Sequence, residues 1–370
     1  MATDADTLPA RPTAPSAAIG AIDVDVHPAV PGMSALLPYL DAHWREQVTV
    51  RGIDGLESVM WKPSLPVSCR PDWRPEKGKP GESLQALRAQ SLDAFGTSVA
   101  VCNVLWGAPA LPSEDMAIAL CRAVNDWVAR EWLDREPRLR ASILVPPQAP
   151  DLAAEEIERL APDRRFVSVL LPAMTEAPLG RRMHRLIWRA AERFGLPVAI
   201  HAGGTYRHPP TATGWPSFHA EDHAGQAQVF QGQLLSLIYE GVFGEFPGLR
   251  VVLLDAGIGW LPNFLWRANK TWRGLRAEVP WVKRPPAELV REHVRFSVQP
   301  LQGPPDEGGL ARLLDQIGGD RTLLFATDWP HWRFDGNAAI PAGLPAASLP
   351  GVLRGNALEF YPRLREEATP

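Results

Sequence analysis

The sequence has little cysteine. Cys69, Cys102 and Cys121 are its only three thiols, in 370 residues. Their odd number and the lack of any CxxC pair argue against a disulfide framework and against a cysteine zinc site. Unpaired thiols of this kind fit a reducing cytoplasm. No run of 18 apolar residues is present, so no membrane-spanning helix is expected. No basic block interleaved with aromatic residues occurs, and 38 basic against 42 acidic residues leave a net charge of −4. Nucleic acid is therefore not an expected partner. The opening stretch MATDADTLPARPTAPSAAIG has no positively charged segment followed by an apolar one, so it does not read as a secretory signal. Its Ala, Pro, Thr and Ser content makes residues 1–20 a disordered leader by composition. No G-x-G-x-x-G follows a strand, and no P-loop is found.

What the chain does have is a hydrophobic fraction of 45% and a regular alternation of apolar runs and helix-period segments. The apolar runs fall at 21–27, 97–104, 140–145, 166–171, 197–201, 249–255, 294–298 and 322–327. Between them, helical patterns are read near 83–95, 114–133, 151–160, 179–194, 223–243, 262–277, 286–292, 307–317 and 348–360. Glycines such as Gly96, Gly195 and Gly318 stand at helix ends. Runs such as VSVLL and RVVLLD show no polar alternation, the signature of strands buried on both faces of a parallel sheet. Eight such units in one chain favour a (β/α)₈ TIM barrel, which needs roughly 250 residues. The Pro- and Trp-rich stretch at about 28–80 reads as an irregular insertion after the first strand, lying over the barrel mouth. The whole of 21–365 is read as one domain.

In such barrels the chemistry sits at the C-terminal ends of the strands. The first strand ends Asp23-Val24-Asp25-Val26-His27, and alternation puts residues 23, 25 and 27 on one face. Three ionisable groups facing a barrel interior need a counter-charge, which a divalent cation supplies. The bland alternative is a solvated edge strand with Val24 and Val26 inward. The fifth strand ends in His201 before Gly203 and Gly204. The eighth ends in Asp328, with His331 three residues on. Alone, His201 could be a hydrogen-bonded core residue and Asp328 a turn or cap aspartate. Together, Asp25, His27, His201 and Asp328 form a two-imidazole, two-carboxylate set suited to one divalent ion, Zn²⁺ first, with Mn²⁺ or Fe²⁺ as alternatives.

The segments IDVDVHP (22–28), LPVAIHAGG (196–204), EGVFGEFPGLRVVLLDAGIGWLP (240–262), WRANKTWRGLRAEVPWVKRPP (266–286), LLFATDWPHW (323–332) and RGNALEFY (354–361) resemble the amidohydrolase superfamily. The likeness is to the amidohydrolase-related branch that includes aminocarboxymuconate semialdehyde decarboxylase, and it covers roughly 20–362. It implies a (β/α)₈ barrel with one Zn²⁺ or Mn²⁺. It also implies hydrolysis or non-oxidative decarboxylation of a small, often aromatic, carboxylated substrate. The family's ligand positions fall on Asp25, His27, His201 and Asp328. The sequence departs from the branch at Asp255, where its decarboxylases commonly carry a histidine. No lysine ends strand four, so a lysine-bridged binuclear site is not implied.

On these grounds the chain reads as a metal-dependent hydrolase. Water activated at the cation is deprotonated by Asp328 or Asp255, and His331 protonates the leaving group. The alternatives are a metal-dependent decarboxylase and a catalytically inactive ligand-binding barrel. The expected partner is a small molecule. The Trp-rich helix near 262–277 is compatible with a homodimer. Elsewhere, Asp222 is read as a helix cap and His219 and His223 as sharing one helix face. His208 is read as solvated, and Arg267, Arg273 and Arg276 as a solvated helix face. Trp61, Trp73, Trp106, Trp215, Trp260 and Trp329 are read mainly as packing for the insertion, with some of them walling an apolar pocket.

Overall fold

The computed structural model describes residues 20–56, 69–204, 207–304, 306–331, 340 and 343–367. The leader at 1–19, Trp61 and Trp332 lie outside the described residues. Eight strands form one sheet in sequence order: β1 (Ile22–Val26), β2 (Val99–Cys102), β3 (Leu139–Leu144), β4 (Phe166–Met174), β5 (Val198–Gly204), β6 (Val251–Leu254), β7 (Val294–Ser297) and β8 (Leu323–Leu324). Every neighbouring pair is parallel. The uninterrupted apolar runs behave as their composition dictates, since all nine residues of β4 and all seven of β5 are buried.

The ring closes between β8 and β1. Val24 N–H donates to Phe325 O at 3.0 Å, Asp328 N–H to Asp25 O at 3.0 Å, and His27 N–H to Trp329 O at 2.8 Å. These main-chain bonds run on past the two residues of β8 that pair with β7, so the chain at 325–329 serves as the last stave of a (β/α)₈ barrel. Helices cover the outside, as parallel strands buried on both faces require.

The insertion after β1 is more helical than its irregular sequence pattern implies. It contains α1 (Ala42–Val50), whose first turn is capped by Asp41 accepting from Trp44 N–H at 2.9 Å. Only Val48 of α1 is buried, which explains why the segment shows no apolar stripe. The insertion is tied to the mouth. Arg70 N–H donates to Pro330 O at 2.9 Å, and Gly107 N–H, after β2, donates to Leu56 O at 2.8 Å. Gly107 could be no other residue without moving the insertion, because a Cβ there would stand 2.0 Å from Leu56 O. Trp73, Trp106 and Trp329 are buried in this packing, whereas Trp215 is exposed.

The later helices used below are α2 (Glu114–Val128), α3 (Pro150–Leu160), α4 (Arg185–Arg193), α5 (His219–Tyr239) and α6 (Leu261–Leu275). Among the described residues no helix is long and apolar enough to cross a membrane. All three cysteines are free and buried.

Candidate metal centre

Asp25 lies on β1 and His27 directly after it, His201 lies on β5, and Asp328 lies in the stretch after β8 that closes the ring. The four sequence-predicted donors meet: each offers one ligand atom, and these atoms lie within 4.8 Å of one another, all on buried residues. Donors around a cation of this class, bound at about 2.0–2.2 Å, are separated by roughly 3–4.5 Å. The cluster is thus close to the size of one coordination sphere.

His27 Nε2 lies 2.8 Å from Asp328 Oδ1 and 3.4 Å from Asp25 Oδ1. His201 Nε2 is 3.6 Å from Asp25 Oδ2. The two imidazoles stand edge to face, with centroids 4.9 Å apart. Each Nδ1 faces a carbonyl, His27 to Asn103 O at 2.9 Å and His201 to Ala202 O at 2.8 Å. A carbonyl only accepts, so Nδ1 carries a proton in both rings and Nε2 is the nitrogen of each that faces the centre. Asp25 Oδ2, fully buried, accepts no hydrogen bond. A buried carboxylate oxygen left so is costly unless a cation takes it.

The electrostatics point the same way. Burial pushes the Asp25 carboxyl up to about 8, the His27 charge opposing and Asp328 reinforcing the rise. Burial works against the His27 cation, but Asp25 and Asp328 outweigh it and lift its pKa to about 9. Burial likewise raises Asp23 to about 6, restrained by its bonds from Thr327. The site crowds carboxylates around a buried imidazole and suits one divalent cation in place of the proton.

Asp255 immediately follows Leu254, which pairs with His201 across β5 and β6. It therefore stands on the same rim but outside the four-donor cluster. It is buried, and its N–H donates to Ser297 Oγ at 3.0 Å. Among the described residues, only three non-glycine residues have positive φ, and two of them are Asp255 (60°) and Asp328 (56°). That conformation strains a residue with a side chain and tends to persist where function requires it. His331 Nδ1 lies 3.1 Å from Asp328 Oδ2, on a side chain 15% exposed. This is a rim position in contact with the cluster.

Some lesser readings change. Asp222 does not cap α5. The helix starts three residues earlier, at His219, with Phe218 as its cap residue and no side-chain cap. Glu221 instead reaches back to accept from Ser217 N–H at 2.9 Å, and Asp222 is buried within the first turns. His219 and His223 do share a face, with ring centroids 5.9 Å apart. His208 is bonded through Nε2 to Thr175 O at 2.8 Å, although its residue is exposed. Arg267, Arg273 and Arg276 are exposed on or just beyond α6. The sequence reading missed Asn103, whose polar side chain interrupts the apolar run VAVCNVLW at the end of β2.

A family model described as Amidohydrolase matches residues 22–363. A gamma-resorcylate decarboxylase of Rhodococcus jostii (strain RHA1) is 29% identical over 273 residues, covering 67% of this chain and 77% of the relative. An amidohydrolase structure from Mycobacterium avium subsp. paratuberculosis K-10 superimposes with a TM-score of 0.70 at 20% identity, covering 92% of this chain and 98% of the other. A dihydroxybenzoic acid decarboxylase from Polaromonas sp. JS666, with bound manganese and the inhibitor 2-nitroresorcinol, gives a TM-score of 0.63 at 19% identity, covering 95% and 99%. At these identities the two structures establish the likeness of fold.

Proposed function

Since the chain belongs to the amidohydrolase family, we propose that it is a metal-dependent, non-oxidative decarboxylase of a small hydroxylated aromatic carboxylate. The observation that carries this reading is the buried cluster Asp25, His27, His201 and Asp328, with a further acid, Asp255, beside it on the rim. The relatives' names move the weight from hydrolysis to carbon dioxide release.

Asp25, His27, His201 and Asp328 would hold the cation, which we take as Zn²⁺ or Mn²⁺. When bound, it supplies a concentrated positive charge for a substrate carboxylate and an adjacent phenolic oxygen. The remaining work falls to the chain. Asp255 is the residue that delivers a proton, drawn from solvent, to the ring carbon that bears the carboxylate, forming a C–H bond. The bond from that carbon to the carboxylate then breaks, its electron pair restores the aromatic ring, and carbon dioxide leaves. Asp255 regains a proton from solvent. Ser297, donating onward to Gln299 O at 3.0 Å while accepting from the Asp255 N–H, fixes the backbone that aims this carboxyl. His331, in contact with Asp328, orients that carboxylate at the rim. We place the enzyme in the cytoplasm, where its three free thiols stay reduced.

The test is carbon dioxide release from 2,6-dihydroxybenzoate and its monohydroxy analogues by protein loaded separately with Zn²⁺ and with Mn²⁺. Release with at least one metal supports the proposal. No release from metal-loaded protein across the panel refutes it. Hydrolysis is the second reading, favoured by Asp255 standing where the branch's decarboxylases commonly carry histidine. Turnover of an ester, lactone or amide panel by the same loaded protein would establish it.

A further inference from the structure

One residue outside the cluster touches four consecutive residues, Val24 to His27, at the end of β1. Asn103 N–H donates to Val26 O at 2.8 Å. Asn103 Nδ2 donates to Val24 O at 3.0 Å and to Asp25 Oδ1 at 2.7 Å. Asn103 O accepts from His27 Nδ1 at 2.9 Å. Both β1 donors of the cluster are therefore gripped by one residue, Asp25 by its side chain and His27 by its main chain.

The orientation of the Asn103 amide is itself determined. Ser142 Oγ donates to Asn103 Oδ1 at 2.5 Å, and Ser142 Oγ lies 2.6 Å from Ser168 Oγ. Ser142 has a single hydroxyl proton and gives it to Asn103, so Ser168 donates to Ser142. Turning the amide over would set its oxygen against both Asp25 Oδ1 and Val24 O, three acceptors without a proton. Asn103, Ser142 and Ser168 are all buried, so water does not relieve such a mismatch.

We propose that Asn103 is the positioning residue of the metal centre. Its amide occupies Asp25 Oδ1 and thereby leaves Oδ2 as the oxygen that faces the centre. Its carbonyl fixes the His27 tautomer and so leaves Nε2 as the donor nitrogen. Ser142 and Ser168 form the chain that keeps the amide the right way round. Partners of this kind set ligand orientation, and their loss typically weakens metal affinity by about 10–100-fold.

The inference rests on the cluster being a cation site, and the experiment separates the two. Mn²⁺ is titrated into metal-free wild type, Asn103→Ala and Ser142→Ala, and the visible absorption of the Co²⁺-substituted proteins is recorded. Circular dichroism checks the fold. Wild type that binds no Mn²⁺ or Co²⁺ defeats the premise and the inference with it. If wild type binds, the expected result is Asn103→Ala weakened about 10–100-fold with a shifted Co²⁺ band. Ser142→Ala should be weakened in the same sense by a smaller factor. Wild-type affinity and spectrum in a folded Asn103→Ala protein overturn the proposal. If Asn103→Ala does not fold, Ser142→Ala decides, since it removes only the hydroxyl that orients the amide. Unchanged affinity and spectrum there overturn it equally.

Discussion

Asp23 and Thr327 are joined twice across the seam between the first and last strands. Thr327 N–H donates to Asp23 Oδ1 at 3.1 Å and its hydroxyl donates to Oδ2 at 2.6 Å. A third bond, from Asp25 N–H to Oδ1 at 3.1 Å, ties the same carboxylate to its own strand. Thr327→Val keeps the shape and deletes one donor to a fully buried acid. The expected loss of stability is about 1.5–3 kcal/mol. Urea denaturation at neutral pH measures it, and a loss below about 0.5 kcal/mol would mean that the seam does not depend on this bond.

Removal of the cation should inactivate and destabilise the protein together. Dialysis against a strong chelator is expected to abolish turnover and lower the melting temperature by several degrees, with recovery on adding Zn²⁺ or Mn²⁺. A ligand present at 100 times its Kd contributes about 2.7 kcal/mol to the folded state. Elemental analysis should find about one equivalent in wild type and none in an Asp25→Ala/His27→Ala variant. A chelator-insensitive melting curve in a protein that loses metal would contradict the coupling.

Asp255→Asn tests the proton donor. The amide is isosteric but has no proton to give, so turnover should fall by about 10²–10⁴. Metal content should stay at the wild-type level, because Asp255 stands outside the four-donor cluster. Near-normal turnover would move the acid role elsewhere, with His331 the next residue to change.

His184 predicts a pH dependence remote from the centre. It lies at the start of α4, 1% exposed, and burial, with the adjacent Arg185 charge, pushes its pKa down to about 4. The folded imidazole stays neutral while the unfolded one takes a proton below its ordinary value of 6.5. Stability from this group is present above about 6.5 and is lost as pH falls toward 4, on the order of 3 kcal/mol. In urea titrations of wild type and His184→Leu, the gap between the two should shift in favour of the variant as pH drops from 7.5 to 4.5. A constant gap would refute it.

The barrel and the four side chains that converge at its mouth were legible because the sequence writes them plainly. Apolar runs without alternation end in Asp25, His27, His201 and Asp328, and a strand end is where barrel chemistry sits. The misreadings have local causes. At α5 the cap role was assigned to Asp222, whereas Glu221 reaches back to Ser217 and the helix starts at His219. In the insertion, α1 buries a single valine and so shows no stripe to read. Asn103 is beyond any sequence period: its importance comes from Ser142 and Ser168, which lie on β3 and β4 and meet it only in the folded barrel.

The seam also sets when the four-residue cluster can form. His27 and Asp328, 2.8 Å apart in space, are 301 residues apart along the chain. A chain that extends only through β7 offers the first-strand pair and His201 but lacks the carboxylate that completes the set. The cluster is therefore complete only once the segment after β8 has closed the ring onto β1. A product truncated before residue 328 would fold, if at all, with three of the four side chains.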